Sequence, residues 1–245
     1  MEFNIENTAF ITSKRNIVLD PLADFKSMYI SDLFDKQKDL YGKSKQGFYR
    51  LINRMELDGL LKTVGGLENN RKIVFLTQVG STLLDKDFVN FPSKEALRHD
   101  AIVSSIVLDI LKKIKSYTYE IPNSFDGSGL VPDARCWLDV DNEKSLFHIE
   151  LELTRKSKER QIAKMKNYLQ LKDKSFVIYF FDKKGVFNSY KESLNHTLID
   201  LDIDEKKSRI ILCYSPMLSS SDQCILDSDI YTQGQNAKLR DIFYA

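Results

Sequence analysis

The sequence predicts an α+β chain of two parts, in which a helical unit with one β-hairpin precedes a mixed β-sheet flanked by helices. Its 245 residues can bury one large core or two small ones, and 42% hydrophobic content argues against a disordered chain. Residues 22–85 have the pattern helix, helix, hairpin, helix, whereas residues 98–214 alternate helices with strands. We therefore expect domains at residues 1–88 and 96–245, joined by a segment that contains Pro92.

The composition predicts a protein of the reducing cytoplasm. Three cysteines without a CxxC pair favour neither a disulfide framework nor a zinc ribbon. No apolar run approaches the roughly 18 residues of a membrane span, and the N-terminus lacks the pattern of a signal peptide. We therefore expect no membrane segment. The near-neutral net charge of +1 indicates nothing about partners unless charge is segregated along the chain.

Apolar spacing predicts two helices in the first part, over residues 25–40 and 44–58, with Gly42 between them and Gly59 closing the second. Residues 60–64 and 72–76 have strand character, and the Gly- and Asn-rich loop between them predicts a hairpin. A short helix is expected to begin at residues 77–80. This order resembles the winged helix-turn-helix family over about 65 residues, which implies DNA binding.

The second of these helices has an apolar face and a polar face. Phe48, Leu51, Ile52 and Met55 follow the i, i+3, i+4, i+7 pattern of a buried face. Residues 41–72 carry seven Lys or Arg against three Asp or Glu, which suits contacts with a major groove and its phosphates. The alternative is a solvated face on a winged helix that binds protein. The expected DNA-contacting residues are Lys43, Lys45, Gln46, Tyr49, Arg50, Asn53, Arg54, Arg71 and Lys72.

The second part alternates helices and strands in the order α-β-β-β-α-β-α-β, which predicts a mixed sheet with helices on its faces. The expected helices cover residues 98–115, 157–171 and 189–201, and the expected strands cover residues 117–121, 130–140, 145–154, 176–181 and 209–214.

Two glutamates mark the third of these strands. Because strand side chains alternate, His148, Glu150 and Glu152 share one face. Neighbouring carboxylates repel each other, so a positive group is expected between them, and oxygen ligands favour Mg²⁺ or Mn²⁺. The alternative is that both glutamates lie on a solvated sheet face.

Val131-Pro132-Asp133 followed by Glu150-x-Glu152 resembles the PD-(D/E)xK nuclease-like superfamily. The resemblance implies a restriction-endonuclease-like sheet in which Asp133, Glu150 and the backbone carbonyl of Leu151 hold the metal. The family's third motif position is usually Lys, and here it is Glu152. The general base therefore stays open.

The whole layout also resembles the replication-relaxation family and its MOBC-type plasmid relaxases, over residues 22–182. His99-Asp100, Pro132-Asp133, the run 149–155 and Lys164-x-Lys166-Asn167-Tyr168 carry this resemblance. It implies site-specific nicking of double-stranded DNA at an origin of transfer, with other mobilisation proteins as partners, and it allows a homodimer. The three histidines cannot form the two-histidine cluster of the better-known relaxases.

A basic segment follows the acidic strand. Residues 155–174 contain eight Lys or Arg against two acids, so Arg155, Lys158 and Lys166 are expected to contact phosphates, although an ordinary solvated helix face has the same pattern. Lys164 or Lys166 could supply the missing motif lysine by projecting back into the site. Tyr168 has the spacing of a packing residue more than that of a nucleophile.

The leading hypothesis is thus a metal-dependent DNA-nicking relaxase with Asp133, Glu150, Glu152 and Lys164 in its catalytic set. The alternatives are a non-catalytic replication or transcription regulator with a degenerate nuclease-like domain, and a restriction or repair endonuclease that cuts both strands.

Overall fold

The computed structural model describes residues 5–42, 44–65, 70–86, 92–114, 116–122, 130–140, 143–173, 175–216, 218 and 224–244. The chain divides into two compact units, an N-terminal unit of Met1–Leu108 and a C-terminal unit of Asp109–Ala245. This division falls inside a helix, later in the chain than the expected linker, part of which lies outside the described residues.

The N-terminal unit combines helices with a small antiparallel sheet, whose strand order is β1-β3-β2. Its strands β2 and β3 form the predicted hairpin. The elements are α1 (Ile5–Asp24), β1 (Ser27–Tyr29), α2 (Ile30–Tyr41), α3 (Lys45–Leu57), β2 (Leu61–Val64), β3 (Ile73–Leu76) and α4 (Gln78–Leu83), and α5 (Lys94–Lys113) crosses into the C-terminal unit.

Local capping explains where α3 begins and ends. The Ser44 side chain accepts a hydrogen bond from the Gly47 amide at the start, and Gly59 has the left-handed backbone, with φ +73°, just after the end. Of the four residues predicted to form the buried face, Phe48, Ile52 and Met55 are fully buried and Leu51 is half-buried.

The prediction of one helix over residues 25–40 is wrong at its start. Ser27–Tyr29 forms β1, which pairs with β3 and buries all three of its side chains. Apolar residues close to helical spacing also suit a short buried strand, and only the pairing with β3 decides between them. Helix α1 was not predicted.

The C-terminal unit contains a seven-stranded mixed sheet, so the predicted mixed sheet flanked by helices is confirmed. The strand order is β10-β9-β8-β7-β6-β5-β4, with β6, β7 and β8 parallel and the other neighbours antiparallel. The elements are β4 (Ser116–Glu120), β5 (Ala134–Val140), β6 (Glu143–Leu151), α6 (Lys158–Leu169), β7 (Phe176–Phe181), α7 (Lys184–Asp200), β8 (Ile210–Tyr214), β9 (Asp229–Thr232), β10 (Gln235–Lys238) and α8 (Arg240–Phe243).

Helices α6 and α7 cover one face of this sheet. Met165 and Tyr168 of α6 pack with Tyr179 and Phe181 of β7 in one buried cluster, which Tyr190 of α7 completes. The acidic end of β6 lies beside β7 and therefore next to this aromatic layer. Among the described helices, none has the length and hydropathy of a membrane span.

Candidate functional site

The two glutamates lie where β6 ends beside β7. Glu150 is opposite Tyr179 in the parallel register. The Glu152 amide donates to the Phe180 carbonyl over 2.9 Å and so extends the pairing past the end of β6. Glu150 is 1% exposed and Glu152 6% exposed, so neither carboxylate lies on a solvated sheet face.

Glu150 is held by two donors from α6. Lys164 Nζ lies 2.5 Å from Glu150 Oε2, and the Tyr168 hydroxyl donates to Oε1. Burial raises the pKa of Glu150 to about 7, although the Lys164 ammonium acts in the opposite direction. Loss of hydration thus outweighs the attraction of one lysine, and Glu150 is poised to change protonation near neutral pH.

Lys164 is the positive group between the two glutamates. Its Nζ is also 4.0 Å from Glu152 Oε1. Burial opposes the charged form of Lys164, but Glu150, Asp133 and Glu152 outweigh burial and raise the pKa of the ammonium. The structure thus brings Lys164 into the acidic cluster, whereas Lys166 pairs with Asp200 at 3.2 Å.

Asp133 is fixed against the end of β6 from the side of β5. Its amide donates to the Ile149 carbonyl over 3.0 Å, and its Oδ2 accepts from the Leu151 amide over 2.7 Å. Because the N–H and C=O of one strand residue point to the same side, the Leu151 carbonyl also faces the side of Asp133. Besides burial, the charge of Asp133 also raises the pKa of Glu150.

These oxygens suit a hard divalent cation. Mg²⁺ keeps several waters and needs only one or two protein carboxylates, and each Glu150 oxygen retains a second lone pair beside its hydrogen bond. Within the part of the chain that the structure describes, no group of three or more His, Cys, Asp or Glu side chains is gathered as a metal site. Asp133, Glu150 and the Leu151 carbonyl are the residues that the nuclease resemblance assigns to Mg²⁺ or Mn²⁺.

A cavity of about 280 Å³ opens beside the acidic cluster. Lys156 Nζ lies 4.0 Å from Glu152 Oε2 at its edge, and Arg160 and Lys164 follow at intervals of four residues. The sequence analysis does not single out Lys156 and Arg160, and the available signal is the i, i+4 spacing of Arg160 and Lys164 on α6. The lining residues are Leu130, Val131, Glu152, Lys156, Arg160, Ala163, Lys164, Asn167 and Tyr190.

Tyr168 has the properties of a packing and positioning residue. It is 4% exposed, and its hydroxyl donates to Glu150. Burial and the Glu150 charge raise the pKa of this phenol well above its ordinary value. A phenol held protonated in this way is a poor nucleophile.

The outward face of α3 presents most of the residues expected to contact DNA. Lys45, Gln46, Arg50, Asn53 and Arg54 are exposed, and Tyr49 is half-buried. The Arg54 guanidinium is 3.4 Å from Asp58, four residues on, and Lys43 lies outside the described residues.

Arg71 is engaged within the N-terminal unit, unlike its exposed neighbour Lys72. Its guanidinium pairs with Asp32, donates to the Ser31 hydroxyl over 2.9 Å and lies 3.7 Å from the centre of the Tyr29 ring. Only 11% of its side chain is exposed. Arg71, which precedes β3, therefore packs against α2 and β1, and the predicted DNA contact would require these bonds to open.

Two basic residues at the start of the α6 segment remain available on the surface. Arg155 and Lys158 are exposed, as expected for residues that contact phosphates.

Comparison with protein-family models, with curated proteins and with solved structures finds no match to this chain.

Proposed function

We propose that this chain is a metal-dependent DNA endonuclease, with its chemistry at the acidic cluster of β6 and its target recognition on α3. The observation that carries the proposal is the position of Lys164, which lies 2.5 Å from Glu150 and 4.0 Å from Glu152. The resembled nuclease motif usually has a lysine at the position of Glu152. In this chain, Lys164 of α6 would supply that positive charge. The sequence resemblance suggests a single-strand nick at an origin of transfer as the form of the reaction.

The N-terminal unit would select the DNA. Helices α2 and α3 followed by the β2–β3 hairpin have the order of a winged helix, and α3 exposes Gln46, Arg50 and Asn53. Amide and guanidinium groups on one helix face suit base edges in a major groove. This supports α3 as the recognition helix.

The C-terminal unit would carry out the cleavage. Asp133, Glu150 and the Leu151 carbonyl would hold Mg²⁺ or Mn²⁺, which when bound polarises the phosphodiester and lowers the pKa of the attacking water. Lys164 would stabilise the negative charge that develops on the phosphate. Glu152 lines the cavity, so it is the carboxylate best placed to accept the proton of that water.

The test is nicking of supercoiled plasmid by the purified full-length chain with Mg²⁺ or Mn²⁺. We expect conversion to the relaxed circle, its loss with EDTA, and at least a hundredfold slower conversion in Glu150→Gln and Asp133→Asn. Conversion to linear DNA would instead identify an enzyme that cuts both strands. Equal rates in the wild type and both variants would exclude this site.

One observation favours a second candidate, a DNA-binding regulator without catalysis. Lys164 and Tyr168 already hold both oxygens of Glu150, so the cluster can be satisfied internally. Sequence-specific DNA binding that is insensitive to EDTA, with no strand cleavage under either metal, would support this candidate over the nuclease.

A further inference from the structure

The cavity beside the acidic cluster has more cationic than anionic groups on its wall. Among the residues that the structure describes, Lys156, Arg160 and Lys164 line it with one carboxylate, Glu152. Arg160, Lys164 and Asn167 lie on α6 at i, i+4 and i+7, so their side chains share one helix face. This part of the cavity wall thus presents a row of hydrogen-bond donors.

The three cationic side chains differ in the ion pairs that they already make. Lys164 makes a direct ion pair with Glu150 at 2.5 Å. Lys156 is only within 4.0 Å of Glu152 and 3.4 Å from the Thr154 hydroxyl, and both contacts are long for a charged donor. Among the residues that the structure describes, no carboxylate pairs with Arg160. Lys156 and Arg160 therefore retain donor capacity at the cavity.

Glu152 limits where an anion can bind. Its carboxylate accepts from the Tyr190 hydroxyl and has an ammonium group 4.0 Å from each oxygen. An anion would be repelled by the Glu152 carboxylate and attracted by the cations of Lys156 and Arg160, with the Asn167 amide as a further donor. Two cations and an amide suit a phosphate group, because arginine offers paired donors in one plane.

We infer that this cavity binds one phosphodiester of the DNA strand, next to the phosphodiester that is cleaved. The inference rests on the proposed function and extends it to a subsite formed by Lys156, Arg160 and Asn167. The volume of about 280 Å³ is near the lower end of ligand sites, roughly 300–1,000 Å³. That space suits one nucleotide-sized group at a time.

The test measures binding without cleavage, with the full chain in EDTA and fluorescein-labelled tetrathymidylate as the probe. A short single strand limits the contribution of α3 to binding. Every protein in the comparison also carries Arg50→Gln, which reduces this contribution further. Arg160→Gln and Lys156→Gln are compared with Lys207→Gln, an exposed lysine on another segment. We expect the first two to weaken binding about three- to tenfold and to reduce the salt slope by about 0.7 each, while Lys207→Gln changes neither quantity.

The outcomes separate the subsite from the nuclease proposal. Unchanged affinity and salt slope in both Arg160→Gln and Lys156→Gln would overturn the subsite even if the chain nicks plasmid. Weakened binding in a chain that never nicks would support the subsite while the nuclease proposal fails. If Arg160→Gln and Lys156→Gln weakened the binding of inorganic phosphate but left tetrathymidylate binding unchanged, the cavity would be a site for free phosphate. That result would overturn the assignment to a DNA strand.

Discussion

Replacing Lys164 by Met tests the electrostatics of the acidic cluster. The change keeps most of the side-chain volume but leaves Glu150, which is 1% exposed, with Tyr168 as its remaining side-chain donor. Removing one partner of a buried ion pair costs about 3–5 kcal/mol. Because 32% of the Lys164 side chain is exposed, water screens part of the pair, and we expect a loss of about 2–3 kcal/mol at pH 8.

This loss should depend on pH in a defined direction. Burial raises the pKa of folded Glu150 to about 7, so the proton on Glu150 stabilises the folded state below the unfolded pKa. That contribution is lost as the pH rises through the folded pKa. Without Lys164 the folded pKa rises further, so the cost should grow by up to about 1.4 kcal/mol per pH unit between pH 7 and that higher pKa. At pH 5.5 we therefore expect about 1–1.5 kcal/mol, which is up to about 1.4 kcal/mol less than at pH 8.

The assay is urea unfolding in EDTA at pH 5.5 and pH 8.0, followed by circular dichroism. The double variant Glu150→Gln/Lys164→Met removes both charges and should recover most of the loss at pH 8, because the pair is replaced by neutral groups. A cost that is equal at both pH values, or a double variant as unstable as Lys164→Met, would refute the reasoning.

Three further predictions address packing and the role of individual side chains. Gly80→Ala should destabilise the protein by about 1–3 kcal/mol or more in thermal unfolding, because a Cβ would lie 2.0 Å from the Leu60 carbonyl oxygen. Gly185→Ala, which meets nothing within 4 Å, is the matched control and should gain up to about 1 kcal/mol. Arg71→Gln should lower the free energy of unfolding by about 1–3 kcal/mol, and a variant that lost only DNA affinity would contradict its assignment to packing. Tyr168→Phe should still nick DNA, about 10–100-fold more slowly, and complete loss with normal folding would favour Tyr168 as the nucleophile.

Much of the fold could be predicted where local patterns are strong. Strand β7 coincides with an apolar run, and α3 has a cap at Ser44 and one apolar face. The sequence pattern predicts helix at β1, because these three residues form a strand only by pairing with β3. The pattern gives no signal for β9 and β10, because each has only four residues and β10 has no buried residue.

The sequence predicts the glutamates of the site, but it does not predict which lysine contacts them. Strand alternation brings Glu150 and Glu152 to one face, and the need for a positive group between them follows from their charge. The source of that charge lies 14 residues from Glu150, on α6, and only the packing of α6 on β7 selects Lys164 over Lys166. The same packing places Arg160 on the cavity wall, and Lys156 lines the cavity from the segment before α6, whereas the sequence pattern favours Arg155 and Lys158.

The central claim is that the acidic cluster cleaves DNA with a bound metal. Its most direct measurement is the nicking rate of the wild type and Asp133→Asn on supercoiled plasmid that carries the DNA around this chain's own gene, with Mn²⁺ and with EDTA. We predict that the wild type produces relaxed circles with Mn²⁺ and none with EDTA. With Mn²⁺, Asp133→Asn should convert the plasmid at least a hundredfold more slowly. Folded wild-type protein that binds this DNA but leaves it intact with Mn²⁺ would contradict the account.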